Sequence, residues 1–545
     1  MRTFWIVAFV MLNAICYSQT YYWVKFTDKN NSPFSVQMPQ NYLSASAIER
    51  RTKEGIAIDS TDLPVNAAYV NAILPYVEEV KHVLKWFNTA VVKLNGTQSI
   101  DSVLQFSFVE SADTIYKNPY KKMMLSSKVE EVKPVNQQFV YPNRYGLAYR
   151  QANMLNVDLL HQLGYKGQGI TMALMDNGYS SLDNIKAFDS VRSRILFTYD
   201  FVHNEQNVYD DGAHGTNTFS CIAANWPGQF VGTATEANYF LLESEDNDNE
   251  WQMEEYNWAA AAEWADSAGA QLFSTSLGYT TFDDGLGDHT YADLDGNTTI
   301  ITRAGNFAAS KGIIVCNSAG NEGNKSWYHI SAAADGDKII AVGAVDSAEV
   351  IADFSGRGPA YSGAIKPNVV AHGKGNYCIT VNGDVGKTNG TSFSCPIFAG
   401  SVAALWSAFP NKSSKEITDA IMISCDKFWD PDNNYGYGIP DFYTAYLLLK
   451  TNYNDKILRT DNDVVVYPNP FIDEVNIAAY GQGTGFNTFE IYDLQGRKIV
   501  EEKIFIRDKT FEIVTLTQTV NLPAGEYLLR WNKSKTTSHR IVKLK

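Results

Sequence analysis

Gly390-Thr391-Ser392-Phe393-Ser394-Cys395-Pro396, running on through residues 397–409, is the stretch that says most about this chain. Residues 397–409 are apolar on nearly every face, and a helix of that kind has to be buried. Ser392 then falls at the start of the helix, where unpaired N–H groups and the helix dipole favour negative charge. Pro396 fits there because a first turn can spare an N–H. A buried helix needs a core around it, and residues 145–450 supply one. Short continuous apolar runs recur at 170–175, 239–242, 271–274, 312–316 and 339–345, the pattern of parallel strands covered on both faces. Helical stretches at 254–267 and 300–311 lie between them. The expected fold is α/β: a doubly wound parallel sheet with its active site at the carboxyl ends of the strands.

A serine hydroxyl is a weak nucleophile at neutral pH and needs an adjacent base, which in turn needs a group to orient it. Two upstream segments offer these. Leu174-Met175-Asp176-Asn177-Gly178 ends an apolar strand in a carboxylate, and His214-Gly215-Thr216 opens a second buried helix. A third, Asn317-Ser318-Ala319-Gly320-Asn321-Glu322-Gly323, puts an amide donor after an apolar run. Taken singly, each has an ordinary structural reading: a strand-end Asp, a satisfied His, a turn-forming Asn. Together, in the order Asp, His, Asn, Ser, they form a set suited to acyl transfer.

Over roughly residues 145–450 the chain resembles the subtilase family. The resemblance is carried by Asp176-Asn177-Gly178, His214-Gly215-Thr216, Ser276-Leu277-Gly278, Ala319-Gly320-Asn321 and Gly390-Thr391-Ser392 with Pro396. It implies a subtilisin-like serine endopeptidase working through an acyl-enzyme, with Asp176, His214 and Ser392 as catalytic triad and Asn321 in the oxyanion hole. It also implies that Ser276, Leu277 and Gly278 bind the substrate backbone as an added strand. Ala213, Thr235, His372 and Ser394-Cys395 depart from the family pattern and bear on loop geometry rather than on chemistry. No cofactor is required for catalysis on this reading, and the family leaves room for structural calcium.

The flanks carry companion signals. Residues 1–18 read as a signal peptide, with Arg2 before a short apolar stretch. Residues 19–116 alternate strands and helices in the manner of an α+β, ferredoxin-like unit. They resemble a subtilase propeptide, which implies a folding template and inhibitor. Residues 117–144 form a polar linker with the expected maturation site, and 451–462 a second linker. The tail, 463–545, is expected to be an all-β sandwich. With Val466-Tyr467-Pro468-Asn469-Pro470, Leu494-Gln495-Gly496-Arg497 and a closing Lys543-Leu544-Lys545, it resembles the type IX secretion C-terminal sorting domain of Bacteroidetes-type bacteria. That implies passage through the periplasm to release or surface attachment. A small carbohydrate-binding sandwich is the plainer reading of the tail.

Composition narrows the partners. The formal net charge is -15, which argues against nucleic acid. Expected partners are protein or peptide substrates, the propeptide itself and the secretion machinery, with no transmembrane segment after signal removal. Six cysteines, five of them beyond the signal segment, form no CxxC pair, and HExxH is absent, so no catalytic metal is assigned. Asp246-Asn247-Asp248-Asn249-Glu250 alternates oxygen donors but lacks the glycine of an EF-hand, and reads as a solvated loop. With Glu243, Glu245, Glu254 and Glu255 it makes an acidic crowd expected to favour basic residues upstream of the cut bond. The competing functional reading is a catalytically silent surface protein that keeps the scaffold for binding.

Overall fold

The computed structural model describes residues 20–95, 97–116, 132–134, 144–450, 464–467, 471, 475–480, 485–506, 511–531 and 539–544. The expected signal peptide and the 451–462 linker lie outside the described residues, as does most of the 117–144 linker.

The N-terminal unit is an antiparallel sheet of Thr20–Phe26, Glu79–Leu84, Thr89–Leu94 and Val109–Ile115, with the second and fourth strands at its edges. Ser44 caps the helix Ala45–Glu54, and Gly55 ends it with a positive φ. The second helix, Ala67–Ile73, stops short of Pro75. Pro75 lacks the N–H needed to continue it, a short 3₁₀ turn follows, and the chain becomes strand by Glu79.

This unit lies on two helices of the central domain. Asp266 is fully buried and receives Arg51 at 2.8 Å, Lys85 at 2.9 Å and Arg50. Burial alone would push its carboxyl up, but the charges of Lys85, Arg50 and Arg51 outweigh burial and hold it well below the ordinary range. Lys311 of the central domain reaches back to Asp62 at 3.1 Å. Glu263 accepts the backbone N–H groups of Lys85 at 2.5 Å and Trp86 at 2.8 Å. Trp86 stacks on Phe307, and His82 Nε2 lies 2.7 Å from Asn257 Oδ1.

The central sheet contains β1 (Thr171–Asp176), β2 (Ile195–Asp200), β3 (Asn238–Glu243), β4 (Leu272–Thr275), β5 (Ile314–Ser318), β6 (Ile339–Val345) and β7 (Val369–His372). All are parallel, in the order β7-β6-β5-β4-β1-β3-β2. The order reverses around β1, the topological switch point where an open α/β sheet places its site. Helix Thr391–Ala408 is buried along Thr391–Trp406, as its all-round apolar pattern requires, and packs on the sheet and on helix His214–Ala223. Pro396 sits in the second turn of this helix rather than the first, with a consequence at the active site. None of the five cysteines beyond the signal segment is in a disulfide, and all five are buried. Cys395, next to Pro396, is pushed up to about 12 by burial and is an inert core residue.

The C-terminal strands form one sheet of three strands and one of four. Val475, Ile477, Val514 and Leu516 of the first share a core with Phe489, Ile491, Leu529 and Ile541 of the second, so the tail is a sandwich. No helix among the described residues is long and apolar enough to cross a membrane.

Candidate active site

Asp176 is the last residue of β1, and His214 opens the helix that packs behind it. His214 Nδ1 lies 2.7 Å from Asp176 Oδ1. The same oxygen accepts the N–H of Asn177 at 2.9 Å, while Oδ2 accepts the hydroxyl of Thr218 at 2.9 Å. Asp176 and His214 are only 2% and 5% exposed, so solvent does not compete for this bond. Gly215 makes the approach possible: a Cβ there would fall 2.1 Å from Gly178 O and 3.1 Å from Asp176 Cβ.

Ser392 is 5% exposed, and the ring of its neighbour Phe393 meets the His214 ring edge-on at 5.9 Å. Pro396 has no N–H to give to the carbonyl four residues back, which is that of Ser392. Ser276 supplies the missing donor, its Oγ bonding Ser392 O at 2.8 Å. Ser276→Ala is therefore expected to leave a buried carbonyl unpaired and cost about 1–3 kcal/mol of stability. Chemical denaturation of the inactive full-length chain measures it, and a loss under about 0.3 kcal/mol would show that the bond carries no weight.

Asn321 closes the other side. Its Oδ1 accepts from Thr391 N at 2.9 Å and Thr391 Oγ1 at 3.0 Å, and Thr391 Oγ1 also receives Gly320 N at 3.2 Å. The carbonyl end of the amide is thus tied to the start of the helix that carries Ser392. Leu277 O accepts from Asn317 and Ser318, at 3.1 and 3.2 Å. Ser331 was not visible as a site residue in the sequence. Its buried hydroxyl has no hydrogen-bond partner among the described residues and stands between Gly278 and Gly320: a Cβ at Gly278 would fall 2.1 Å from it, and one at Gly320 2.8 Å. Thr218 was also missed, although its place four residues after His214, on the same helix face, was a usable signal.

A cleft of about 360 Å³ lies beside this centre, lined by Lys133, Asn321, Phe354, Thr388, Asn389 and Gly390 among others. Lys133 and Pro134 pair antiparallel with Lys387 and Gly386, so the chain's own leader adds a strand next to the nucleophile segment.

The acidic crowd is rearranged by the fold. Glu243, Glu245, Glu254 and Glu255 are buried, and Glu255 pairs with His289 at 2.6 Å. Asp246, Asp248 and Glu250 are left to carry any field toward solvent. Within 246–250, Asp246 accepts from Asp248 N and Asn249 Nδ2, both at 2.8 Å, and Asn247 exchanges hydrogen bonds with Asn177.

A doubly wound parallel sheet with a carboxylate–imidazole pair and a helix-start serine at its carboxyl edge defines a serine-type peptidase. Residues 167–438 match the subtilase family, 21–131 match the peptidase S8 propeptide domain of Bacteroidota, and 465–544 match the secretion system C-terminal sorting domain. The chain belongs to the subtilase family. Subtilisin of Bacillus pumilus is 30% identical over 297 residues, which cover 54% of this chain and 96% of that protein. Subtilisin E of Bacillus subtilis (strain 168) is 28% identical over 61% of this chain and 79% of its own length. Serine protease AprX of the same organism is 29% identical over 50% of this chain and 65% of its own length. The sorting domain addresses the protein to secretion, for release or for the cell surface.

Proposed function

We propose that the protein is a secreted endopeptidase in which Ser392 Oγ attacks a peptide carbonyl while His214 takes its proton. Asp176 holds the imidazole with Nδ1–H toward itself, leaving the far nitrogen for the serine. The imidazolium then protonates the leaving amine, and water, activated by His214, hydrolyses the acyl-enzyme. The Asn321 amide, with the N–H of Ser392 at the helix start, stabilises the oxyanion. Ser276, Leu277 and Gly278 pair with the substrate backbone. The observation that carries this reading is the buried 2.7 Å bond between His214 and Asp176, placed against the nucleophile helix. Fluorophosphonate labelling of the mature enzyme tests it: Ser392 is captured covalently, and capture is lost in His214→Ala. An unlabelled Ser392 would favour the silent binding protein.

Asn321→Ala is expected to lower kcat about 10²–10³-fold with KM nearly unchanged, the range known for the corresponding donor in a related subtilisin rather than one derived from this geometry. A loss confined to KM would contradict the role.

Residues 19–116 serve as intramolecular inhibitor on this reading, and the pairing of Lys133 and Pro134 beside the nucleophile segment supports a maturation site within 117–144. Two buried groups set the pH dependence of that inhibition. Burial lowers His82 from its ordinary 6.5 to about 4, so it favours the complex above pH 6.5 and loses that contribution as pH falls through 4. Burial raises Glu263 from 4.5 to about 7, against the charge of Lys85 and the N–H bonds it accepts, so it favours the complex below pH 4.5 and loses that contribution as pH rises through 7. The slopes oppose each other between pH 4.5 and 6.5. A His82→Leu propeptide should therefore bind tighter on acidification across that window, by up to about tenfold per pH unit, and a Glu263→Gln enzyme should bind the native propeptide more weakly. Calorimetric binding to inactive mature enzyme reads both, and identical pH slopes in the two variants would rule out the assignment.

A further inference from the structure

One cluster outside the proposed catalytic set lies at the same edge of the sheet. Glu243 ends β3 in register with Asp176 of β1 on one side and Asp200 of β2 on the other. Asp176 is committed to His214, Asn177 and Thr218. Asp200 Oδ1 accepts the N–H groups of Val202 at 2.6 Å and His203 at 3.0 Å. This turn brings His203 Nδ1 to 2.8 Å from Asp200 Oδ2. Glu243 is 1% exposed, and its Oε1 has no hydrogen-bond partner among the described residues. One donor atom from each of Asp200, His203 and Glu243 falls within 4.8 Å of the others.

A buried carboxylate oxygen without a donor, between two further carboxylates, is costly unless a proton or a cation neutralises it, and a cation also engages the carboxylate and imidazole beside it. We propose that Asp200, His203 and Glu243 form a binding site for a divalent transition-metal ion of the zinc class.

The donor set selects the ion. One imidazole and two carboxylates suit zinc, whereas calcium and magnesium take all-oxygen shells of six or more ligands. Tetrahedral zinc with bonds of about 2.0–2.2 Å holds its ligand atoms about 3.3–3.6 Å apart, so closing the triangle needs a torsion that brings one side chain inward by about 1 Å. His203 can make it, because its side chain is 60% exposed while Asp200 and Glu243 are fixed at strand ends. The ion would take no part in peptide hydrolysis, because Glu243 stands between it and Asp176. It would clamp the start of the 201–213 segment to β3. The far end of that segment carries His214, and Gly212 O there receives Ser180 N at 2.9 Å. The ion thus acts on the proposed base through its supporting loop.

The test uses untagged full-length chain carrying Ser392→Ala, so that self-digestion does not intrude. Zinc, calcium and magnesium chlorides are titrated separately by calorimetry, with metal content by plasma mass spectrometry and Tm by differential scanning. The expected result is about one zinc per chain, a raised Tm with zinc, and at least a tenfold loss of zinc affinity in both His203→Ala and Glu243→Gln. His203 is exposed, so its variant keeps the core intact and stays informative even if Glu243→Gln folds poorly. Zinc uptake unchanged in His203→Ala, no uptake with no Tm shift, or calcium or magnesium binding as tightly as zinc would each overturn the proposal.

Discussion

Ser392→Ala yields a folded chain that hydrolyses no peptide and keeps its leader attached. The substitution removes one buried hydroxyl from the first turn of a helix in which every residue from Thr391 to Trp406 is buried. Alanine is the best helix former, and the Ser276–Ser392 bond uses the backbone carbonyl, so the support of the helix survives. What is lost is the atom proposed to bond to the carbonyl carbon. In a related subtilisin such a loss lowers kcat about 10⁶-fold, and a loss of that order is expected of Ser392→Ala. Because Lys133 and Pro134 already lie paired beside the nucleophile segment, the same change should stop self-processing. Peptide turnover and the intact mass of the purified chain measure the two effects. Turnover within a hundredfold of the parent would remove Ser392 from its role.

Deleting residues 463–545 leaves the peptidase active and strands it in the periplasm. Every proposed catalytic and substrate-binding residue lies at or before Ser392, and the last helix of the central domain, Phe442–Lys450, ends before the tail begins. The tail's own core is made of its own residues, from Phe471 to Ile541. Units with separate cores fail separately. The truncated gene is expressed in the native host, and periplasm, outer surface and medium are assayed for peptidase. Activity confined to the periplasm is the expected outcome. Normal export would end the sorting role, and export without activity would make the tail part of substrate binding.

The parts of the fold legible in the sequence were those buried on both sides. Residues 170–175 and 339–345 read as strands because Thr171 is the one polar residue in either run, and β1 and β6 are interior strands. The two strands missed, β2 and β7, are the edges of that sheet. Ile195–Asp200 is mostly half-buried and Val369–His372 is short, so each leaves only three consecutive apolar residues. The same held for the site. Asp176, His214, Asn321 and Ser392 announce themselves through local punctuation, a strand end or a helix start. Ser331, and the bond from Ser276 to Ser392 O, depend on segments that meet only in three dimensions. The acidic crowd misled because carboxylates close in sequence go to opposite fates: Glu254 and Glu255 turn into the core while Asp248 faces water.

The leader is held at two places at once: a charged dock around Asp266 and a strand pair at Lys387. While the chain is whole, either contact keeps the other at an effective concentration on the order of millimolar, the usual value for short tethers. Cutting between them breaks no contact at the dock, yet it turns a unimolecular equilibrium into a bimolecular one. From that moment occupancy depends on volume. In a crowded periplasm the severed leader rebinds; past the outer membrane, in open medium, it diffuses away. If residues 19–116 inhibit as proposed, dilution on export is the second half of activation, and enzyme stranded in the periplasm by loss of its tail shows its activity once that fraction is diluted for assay.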